Sequence, residues 1–170
     1  MEFKLRKFTE SDAESLAKHA NNINIAKWLT NMFPNPYTLE NAKDFIASVA
    51  NDNPTKVFAI EINGEAAGAI GITLQTDIFL KNAELGYWLS EEYWGNGIVP
   101  RAIKETVEYG FKTFDITRIF ARPFSTNLRS QRVLQKSGFL LEAQLSKTIF
   151  KNGEYFDEMI YAVLVVSRKL

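Results

Sequence analysis

The sequence predicts an α/β fold built on a mixed sheet, and three observations carry this prediction. In the second half of the chain, segments with the apolar patterns of strands alternate with two segments of helical spacing. In the first half, helical patterns precede two strands joined by Asn63-Gly64, a strong signal for a two-residue hairpin. With 170 residues, 46% apolar and 24% charged, the chain has the size and composition of one globular domain over residues 1–170.

The pattern of apolar residues and turn residues predicts each element in order. Strands are expected over residues 3–7, 57–62, 66–74, 83–90, 118–121, 139–150 and 155–166. Thr9 is expected to cap the first helix, which ends near residue 20. Thr38 is expected to begin the second helix, whose apolar residues run to Val49. Two further helical patterns cover residues 98–114 and 127–137, and Gly138 is expected to end the second of them. Residues 21–37 show no regular period and are interpreted as helical turns and a loop.

Composition excludes several kinds of site and partner. Lys and Arg together number 20, as do Asp and Glu, so no net field favours nucleic acid or an anionic membrane. Because cysteine is absent, disulfides, thiolate metal ligands and a cysteine nucleophile are excluded, and no metal site is expected. The N-terminal residues lack the pattern of a signal peptide, and no apolar run approaches the roughly 20 residues of a membrane helix. A cytoplasmic protein is therefore expected.

The segment most informative about function is residues 85–98, where a strand, a loop with two glycines and a long helix follow one another. A helix N-terminus offers unpaired N–H groups and about half a positive charge, and Gly95 and Gly97 let the backbone approach a phosphate closely. The pattern indicates a phosphate or pyrophosphate site, although a pair of glycines also occurs in ordinary tight turns. Pro100 occupies the position of the third glycine of a dinucleotide-binding fingerprint, and no Gly-Lys-Ser/Thr follows as in a P-loop.

Five segments, taken in order, resemble one known family. Tyr93-Trp94-Gly95-Asn96-Gly97 resembles the acetyl-CoA-binding motif of the GNAT acetyltransferase superfamily, and in particular of its RimJ/RimL branch, which acetylates ribosomal-protein N-termini. The other segments are similar to that branch's opening strand, fourth strand, second cofactor motif and final hairpin: residues 5–12, 83–89, 127–139 and 152–157 with Tyr161. The likeness covers nearly the whole chain.

The resemblance implies a mixed, mostly antiparallel seven-stranded sheet flanked by about four helices, and transfer of an acetyl group from acetyl-CoA to an amine. It implies that the backbone of the fourth strand near Tyr87 polarises the thioester and that Leu89 bonds the pantetheine arm. It also implies that the amides of six consecutive residues hold the pyrophosphate: Trp94, Gly95, Asn96, Gly97, Ile98 and Val99.

Two features depart from the family pattern. Glu92 stands where the superfamily usually has Arg or Gln, and a carboxylate there opposes the binding of a pyrophosphate. Pro100-Arg101 stands where Thr-Glu is common in this branch. Proline is acceptable in a first helical turn, and Arg101 is expected to offset the charge of Glu92.

Glu84 and Ser130 are the candidate catalytic residues. Glu84 begins the fourth strand and is expected to act as a general base, directly or through a water, if its pKa is raised; a solvated strand-end glutamate is the alternative. Ser130 lies one helical turn after Asn127, and its hydroxyl is expected to protonate the departing thiolate, with bonding to backbone alone as the alternative. Asn127 is expected to bind the cofactor, to cap the helix, or to do both.

The acceptor is expected to be a protein N-terminal amine or a small-molecule amine. Trp28 and Tyr37, in the irregular segment, are the candidate residues of its pocket. His19 is the single histidine and is placed in a surface helix without a catalytic role. The final hairpin is a candidate surface for a homodimer. Two other functions stay open: a CoA-binding module without catalysis, and a phosphate- or nucleotide-binding domain.

Overall fold

The computed structural model describes residues 1–165, and the elements follow the predicted order. The seven strands are β1 Lys4–Arg6, β2 Val57–Ile62, β3 Glu65–Leu74, β4 Asn82–Leu89, β5 Arg118–Ala121, β6 Leu140–Lys151 and β7 Glu154–Leu164. They form one sheet in the order β1-β2-β3-β4-β5-β7-β6. The β4–β5 pair is parallel, whereas the β1–β2, β2–β3, β5–β7 and β6–β7 pairs are antiparallel. The predicted mixed, mostly antiparallel seven-stranded sheet is confirmed.

Five α-helices lie between these strands, one more than predicted. They are α1 Ala13–Ala20, α2 Ile23–Ala26, α3 Leu39–Val49, α4 Ile98–Thr113 and α5 Leu128–Lys136. The extra helix, α2, lies in the segment that showed no regular period, because a helix of four residues is too short to produce one. The last strand was predicted to reach Val166, which lies outside the described residues.

The chain folds as two compact units, of which the first consists of Met1–Gly71 with Tyr87–Ala102. Apolar residues of α1, α3, β2 and β3, together with Phe8 and Tyr37 from the connecting segments, form its core, and Phe33 and Trp88 pack against it. The core residues are Phe8, Ala13, Leu16, Ala20, Tyr37, Ala42, Ile46, Ala59, Ala66 and Ala69. Hydrophobic burial of this kind is the dominant favourable term in folding.

An ion pair fixes the start of the chain within the first unit. Both terminal nitrogens of Arg6 donate to the carboxylate of Asp12, each at 2.7 Å, and Asp12 also accepts from the Thr9 amide at 2.8 Å. Thr9 therefore caps a short 3-10 turn, Glu10–Asp12, and α1 begins one turn later than predicted. The pair joins β1 to the helix that carries His19.

The second unit consists of Ile72–Gly86 with the described residues from Ile103 onward. Gly110 lets α4 lie close to the sheet, since a Cβ there would come within 3.1 Å of Ile72 and 3.2 Å of Ile119. Helix α5 ends at Gly138, whose φ of 89° is the left-handed conformation expected after a helix.

Gly68 of β3 sets how closely that strand approaches β4 within the first unit. A Cβ at this position would lie 2.4 Å from the Trp88 carbonyl oxygen and 3.1 Å from the Leu89 Cα. Neither backbone atom can move without shifting the strand, so glycine is required here.

We expect Gly68→Ala to destabilise the protein by about 1–3 kcal/mol through overpacking. For a chain of this size this corresponds to a fall in Tm of roughly 2–12 °C. Gly86→Ala, on β4 itself, is the matched control, because a Cβ there meets open space. Thermal melts followed by circular dichroism measure both, and equal Tm values for the two variants would contradict the assignment.

Candidate functional site

The loop between β4 and α4 is held in shape by its own hydrogen bonds. The Trp94 indole N–H donates to the Leu89 carbonyl at 2.8 Å. The Asn96 side-chain amide donates to the carbonyls of Tyr93 at 3.1 Å and Trp94 at 3.3 Å. Gly95 and Gly97 have φ values of 82° and 68°, a left-handed backbone that disfavours other residues. The local sequence therefore dictates this conformation.

The loop presents its backbone to solvent at the start of a long helix. Gly95, Asn96 and Gly97 are exposed, whereas Ile98 is buried and anchors the first turn of α4. A Cβ added at either glycine would meet open space. Helix α4 runs for 16 residues, so its N-terminal N–H groups and dipole favour an anion here. The arrangement fits a phosphate or pyrophosphate bound by backbone amides.

Near this loop, the side chains of Arg101 and Glu92 contact other groups than those expected from the sequence. Arg101 donates to the Gly97 carbonyl at 3.3 Å and to the Met1 carbonyl, and its guanidinium lies over the Phe3 ring. The ionisable partner of Glu92 is His19, with Nδ1 3.1 Å from Oε1. The expectation that Arg101 offsets Glu92 is therefore wrong.

The prediction that His19 lies on the surface is also wrong. Its side chain is 2% exposed, and it contacts Ser90, 71 positions away in the chain. A single histidine in a short amphipathic helix carries no local signal for such a contact, which depends on how α1 packs.

In the second unit, three charged side chains lie together near the start of β4. Glu158 is 3% exposed and accepts two hydrogen bonds from Arg122, at 3.0 Å from Nε and 3.0 Å from Nη2. This bidentate pair raises the pKa of Arg122. Burial raises the pKa of the Glu84 carboxyl; Arg122 opposes this shift and Glu158 adds to it. Glu84 thus has the direction of pKa shift that a general base requires.

Sequence reasoning missed Arg122 and Glu158. A signal was present, since Glu158 is a carboxylate beside the apolar run that starts at Met159, and a buried carboxylate needs a cation. The partner was not deducible, because the bridge between Phe124 and Glu158 joins distant parts of the chain.

Asn127 and Ser130 meet at the first turn of α5. The Asn127 side-chain oxygen accepts from the Ser130 amide at 3.2 Å, so the capping role of Asn127 is confirmed. Both side chains are partly exposed. Their roles toward a cofactor stay predictions.

The two residues proposed for an acceptor pocket differ in environment. Trp28 is half-buried with the Lys27 ammonium 5.4 Å from its ring centroid. Tyr37 is 7% exposed and stacks on Phe33, with ring centroids 4.8 Å apart. Tyr37 therefore packs in the core of the first unit, and only Trp28 keeps appreciable exposure.

Two further observations concern residues 1–165 alone. They contain no cluster of three or more His, Asp or Glu side chains placed to hold a metal ion. No helix among them is both long enough and apolar enough to span a membrane.

Comparison with known proteins identifies the family. The model of the acetyltransferase (GNAT) domain matches residues 2–140. The ribosomal-protein-serine acetyltransferase of Escherichia coli is 30% identical over 113 residues, covering 66% of this chain and 63% of that protein. The spermidine N(1)-acetyltransferase of the same organism is 26% identical over 153 residues, covering 89% of this chain and 80% of that protein.

A solved structure extends the likeness to the fold. The microcin C7 self-immunity acetyltransferase MccE, determined with acetyl-CoA and AMP, is 26% identical with a TM-score of 0.84, and the match covers 96% of this chain and 93% of that chain. The resemblance drawn from the sequence is confirmed.

We expect Glu84→Gln to raise the Tm at pH 8 and to leave it nearly unchanged at about pH 4. Because the folded-state pKa of Glu84 is raised, its contribution to stability is present below the unfolded pKa and is lost as the pH rises through the folded pKa. The glutamine of the variant is uncharged, so its burial at pH 8 costs less free energy than that of a carboxylate. Thermal melts across this pH range provide the test, and a lower Tm of the variant at pH 8 would contradict the account.

Proposed function

Because the chain belongs to the GNAT acetyltransferase family and is an acetyl-CoA-dependent N-acetyltransferase, we propose that residues 94–99 bind the pyrophosphate of acetyl-CoA and that Glu84 is the general base. The observation that carries the proposal is the exposed backbone of Gly95 to Gly97 at the N-terminus of α4. MccE, solved with acetyl-CoA, supports it by its similarity over 96% of this chain.

Further contacts with the cofactor come from β4 and α5. The ladder between β4 and β5 pairs Asn82–Glu84 with Arg118–Phe120, whereas β4 continues for five more residues to Leu89. In the proposal this continuation directs backbone groups of Tyr87 and Leu89 to the thioester and the pantetheine arm. Asn127 contributes a polar side chain at the start of α5.

When bound, acetyl-CoA supplies an acetyl group activated as a thioester. Glu84 removes a proton from the acceptor ammonium, directly or through a water, so that the nitrogen lone pair can form the new C–N bond. A backbone N–H of β4 donates to the carbonyl oxygen as negative charge develops there. The C–S bond breaks, and the Ser130 hydroxyl donates a proton to the leaving thiolate while the second proton of the acceptor nitrogen returns to Ser130, directly or through a water. Alignment of the two reactants supplies a large part of the rate.

The charges around Glu84 favour a cationic acceptor. Glu84 and Glu158 contribute two carboxylates against the single guanidinium of Arg122, so the cluster has a net charge of −1 when all three are ionised. A polyamine or a protein N-terminus meets this requirement. The relatives named for spermidine and for a ribosomal protein support the same two classes of acceptor. Trp28 is the proposed residue of the acceptor pocket.

A cytoplasmic location and a homodimer also belong to the proposal. Spermidine and ribosomal proteins are found in the cytoplasm, which supports a cytoplasmic location. Strand β6 is exposed along most of its length, with Leu140 and Phe150 at 74% and 60% exposed, which supports a homodimer formed through the final hairpin.

We expect Glu84→Gln to lower kcat by about 100-fold or more, the usual contribution of a general base.

Ser130→Ala is expected to lower kcat by roughly tenfold, because water protonates a thiolate less efficiently than a positioned hydroxyl does. Acetylation of spermidine and of N-terminal peptides, measured by mass spectrometry with acetyl-CoA, checks both.

Asp115→Asn is the matched control for Glu84→Gln, because Asp115 is an exposed carboxylate of the same unit with 90% of its side chain accessible. Its kcat should equal that of the wild type. A Glu84→Gln variant with wild-type kcat and an intact affinity for acetyl-CoA would remove Glu84 from the mechanism and leave the cofactor assignment standing.

A further inference from the structure

His19 lies at the end of α1 with an acceptor group at each ring nitrogen. Nε2 is 2.7 Å from Oε2 of Glu65. Nδ1 is 3.0 Å from Oγ of Ser90 and 3.1 Å from Oε1 of Glu92. All four residues belong to the first unit. An imidazolium donates through both nitrogens and satisfies both carboxylates, whereas a neutral ring donates through only one.

Glu92 is the member of this cluster that bears on the cofactor. It lies in the turn Glu91–Tyr93, three residues before Gly95, and its side chain is 56% exposed. A carboxylate this close in the chain to a pyrophosphate site repels the ligand. The Ser90 hydroxyl also donates to Oε1 of Glu92, at 3.3 Å, so this oxygen contacts both Ser90 and His19 of α1.

We propose that His19 is a positioning residue for acetyl-CoA, which holds the Glu92 carboxylate and offsets its charge so that the adjacent glycine loop can accept a pyrophosphate. This inference rests on the proposed role of residues 94–99. It accounts for a glutamate where the family usually has Arg or Gln.

A catalytic role for His19 itself does not fit the geometry. The order Glu65, His19, Ser90 has the contacts of a nucleophile triad. However, Ser90 is only 6% exposed and its hydroxyl points at a second carboxylate. The buried serine has no access to a substrate, so the cluster acts on the conformation and charge of the turn.

Lys18 and Tyr93 complete the surroundings of His19. Lys18, on the same helix, binds Glu65 with Nζ 2.9 Å from Oε2, so that carboxylate is already shared with a cation. The Tyr93 ring lies 6.0 Å from the His19 ring. Within residues 1–165, Glu92 pairs directly with His19, whereas Lys18 interacts with Glu92 only through the longer-range attraction of their charges. Among these groups, His19 is therefore the direct partner of Glu92.

A second set of contacts fixes the other side of the same turn. The Glu91 carboxylate accepts from the side-chain amides of Asn22 at 2.7 Å and Asn24 at 3.0 Å. Because Glu91 is tied to α2, the backbone of the turn keeps Glu92 next to the loop when His19 is removed. Loss of His19 should therefore leave an uncompensated carboxylate near the loop.

The test is the Kd of acetyl-CoA, measured by calorimetry at pH 6 for the wild type, His19→Gln, Glu92→Gln and the double variant. We expect His19→Gln to weaken binding roughly threefold to tenfold, the range for a partly exposed charged hydrogen bond. Glu92→Gln should bind at least as tightly as the wild type, and the double variant should regain affinity within about twofold of the wild type. A merely structural role for His19 gives no such rescue.

A double variant that binds acetyl-CoA as weakly as His19→Gln would overturn the inference. Failure of the wild type to bind acetyl-CoA would instead overturn the proposed function.

Discussion

The unpaired N–H groups at the start of α4 are the feature on which the rest of the site depends. A helix leaves its first amides without intrahelical acceptors, and the exposed glycines before Ile98 leave these groups open to a ligand. Their direction is set by β4, which Gly68 allows to lie against β3, and by Trp94, whose indole holds the loop to Leu89. In the proposed site the pyrophosphate is bound mainly by backbone groups, so most of these contacts do not depend on the side chains of the loop.

Charge is distributed differently in the two units. In the first, the carboxylates next to the loop are each held by a partner on α1 or α2, namely His19 for Glu92 and Asn22 with Asn24 for Glu91. In the second, burial raises the pKa of the Glu84 carboxyl, which lies near the Arg122–Glu158 pair. The two arrangements have different physical grounds. Glu91 and Glu92 are exposed carboxylates that are fixed by hydrogen bonds, whereas Glu84 is half-buried, and burial makes its carboxyl easier to protonate. In the proposed function, the first arrangement limits the repulsion of an anion and the second prepares a base.

The sequence predicted what local patterns encode. The Asn63-Gly64 hairpin, the two glycines before α4 and the Asn127 cap each depend on residues a few positions apart, and the structure has all three where they were expected. Long-range contacts were not predictable in this way. His19 meets Ser90 across 71 positions, and Tyr37 belongs to a core that it shares with residues of α1 and α3. A polar residue in a short helix has no period that reveals which face is buried.

The most direct test of the central claim is a titration of isotopically labelled protein with acetyl-CoA, followed by amide chemical shifts. If residues 94–99 bind the pyrophosphate, their amides should show the largest shifts, with smaller shifts at Tyr87 and Leu89, and ATP should not reproduce the pattern. Large shifts confined to other parts of the chain, with the amides of Gly95 to Val99 unmoved, would contradict the account.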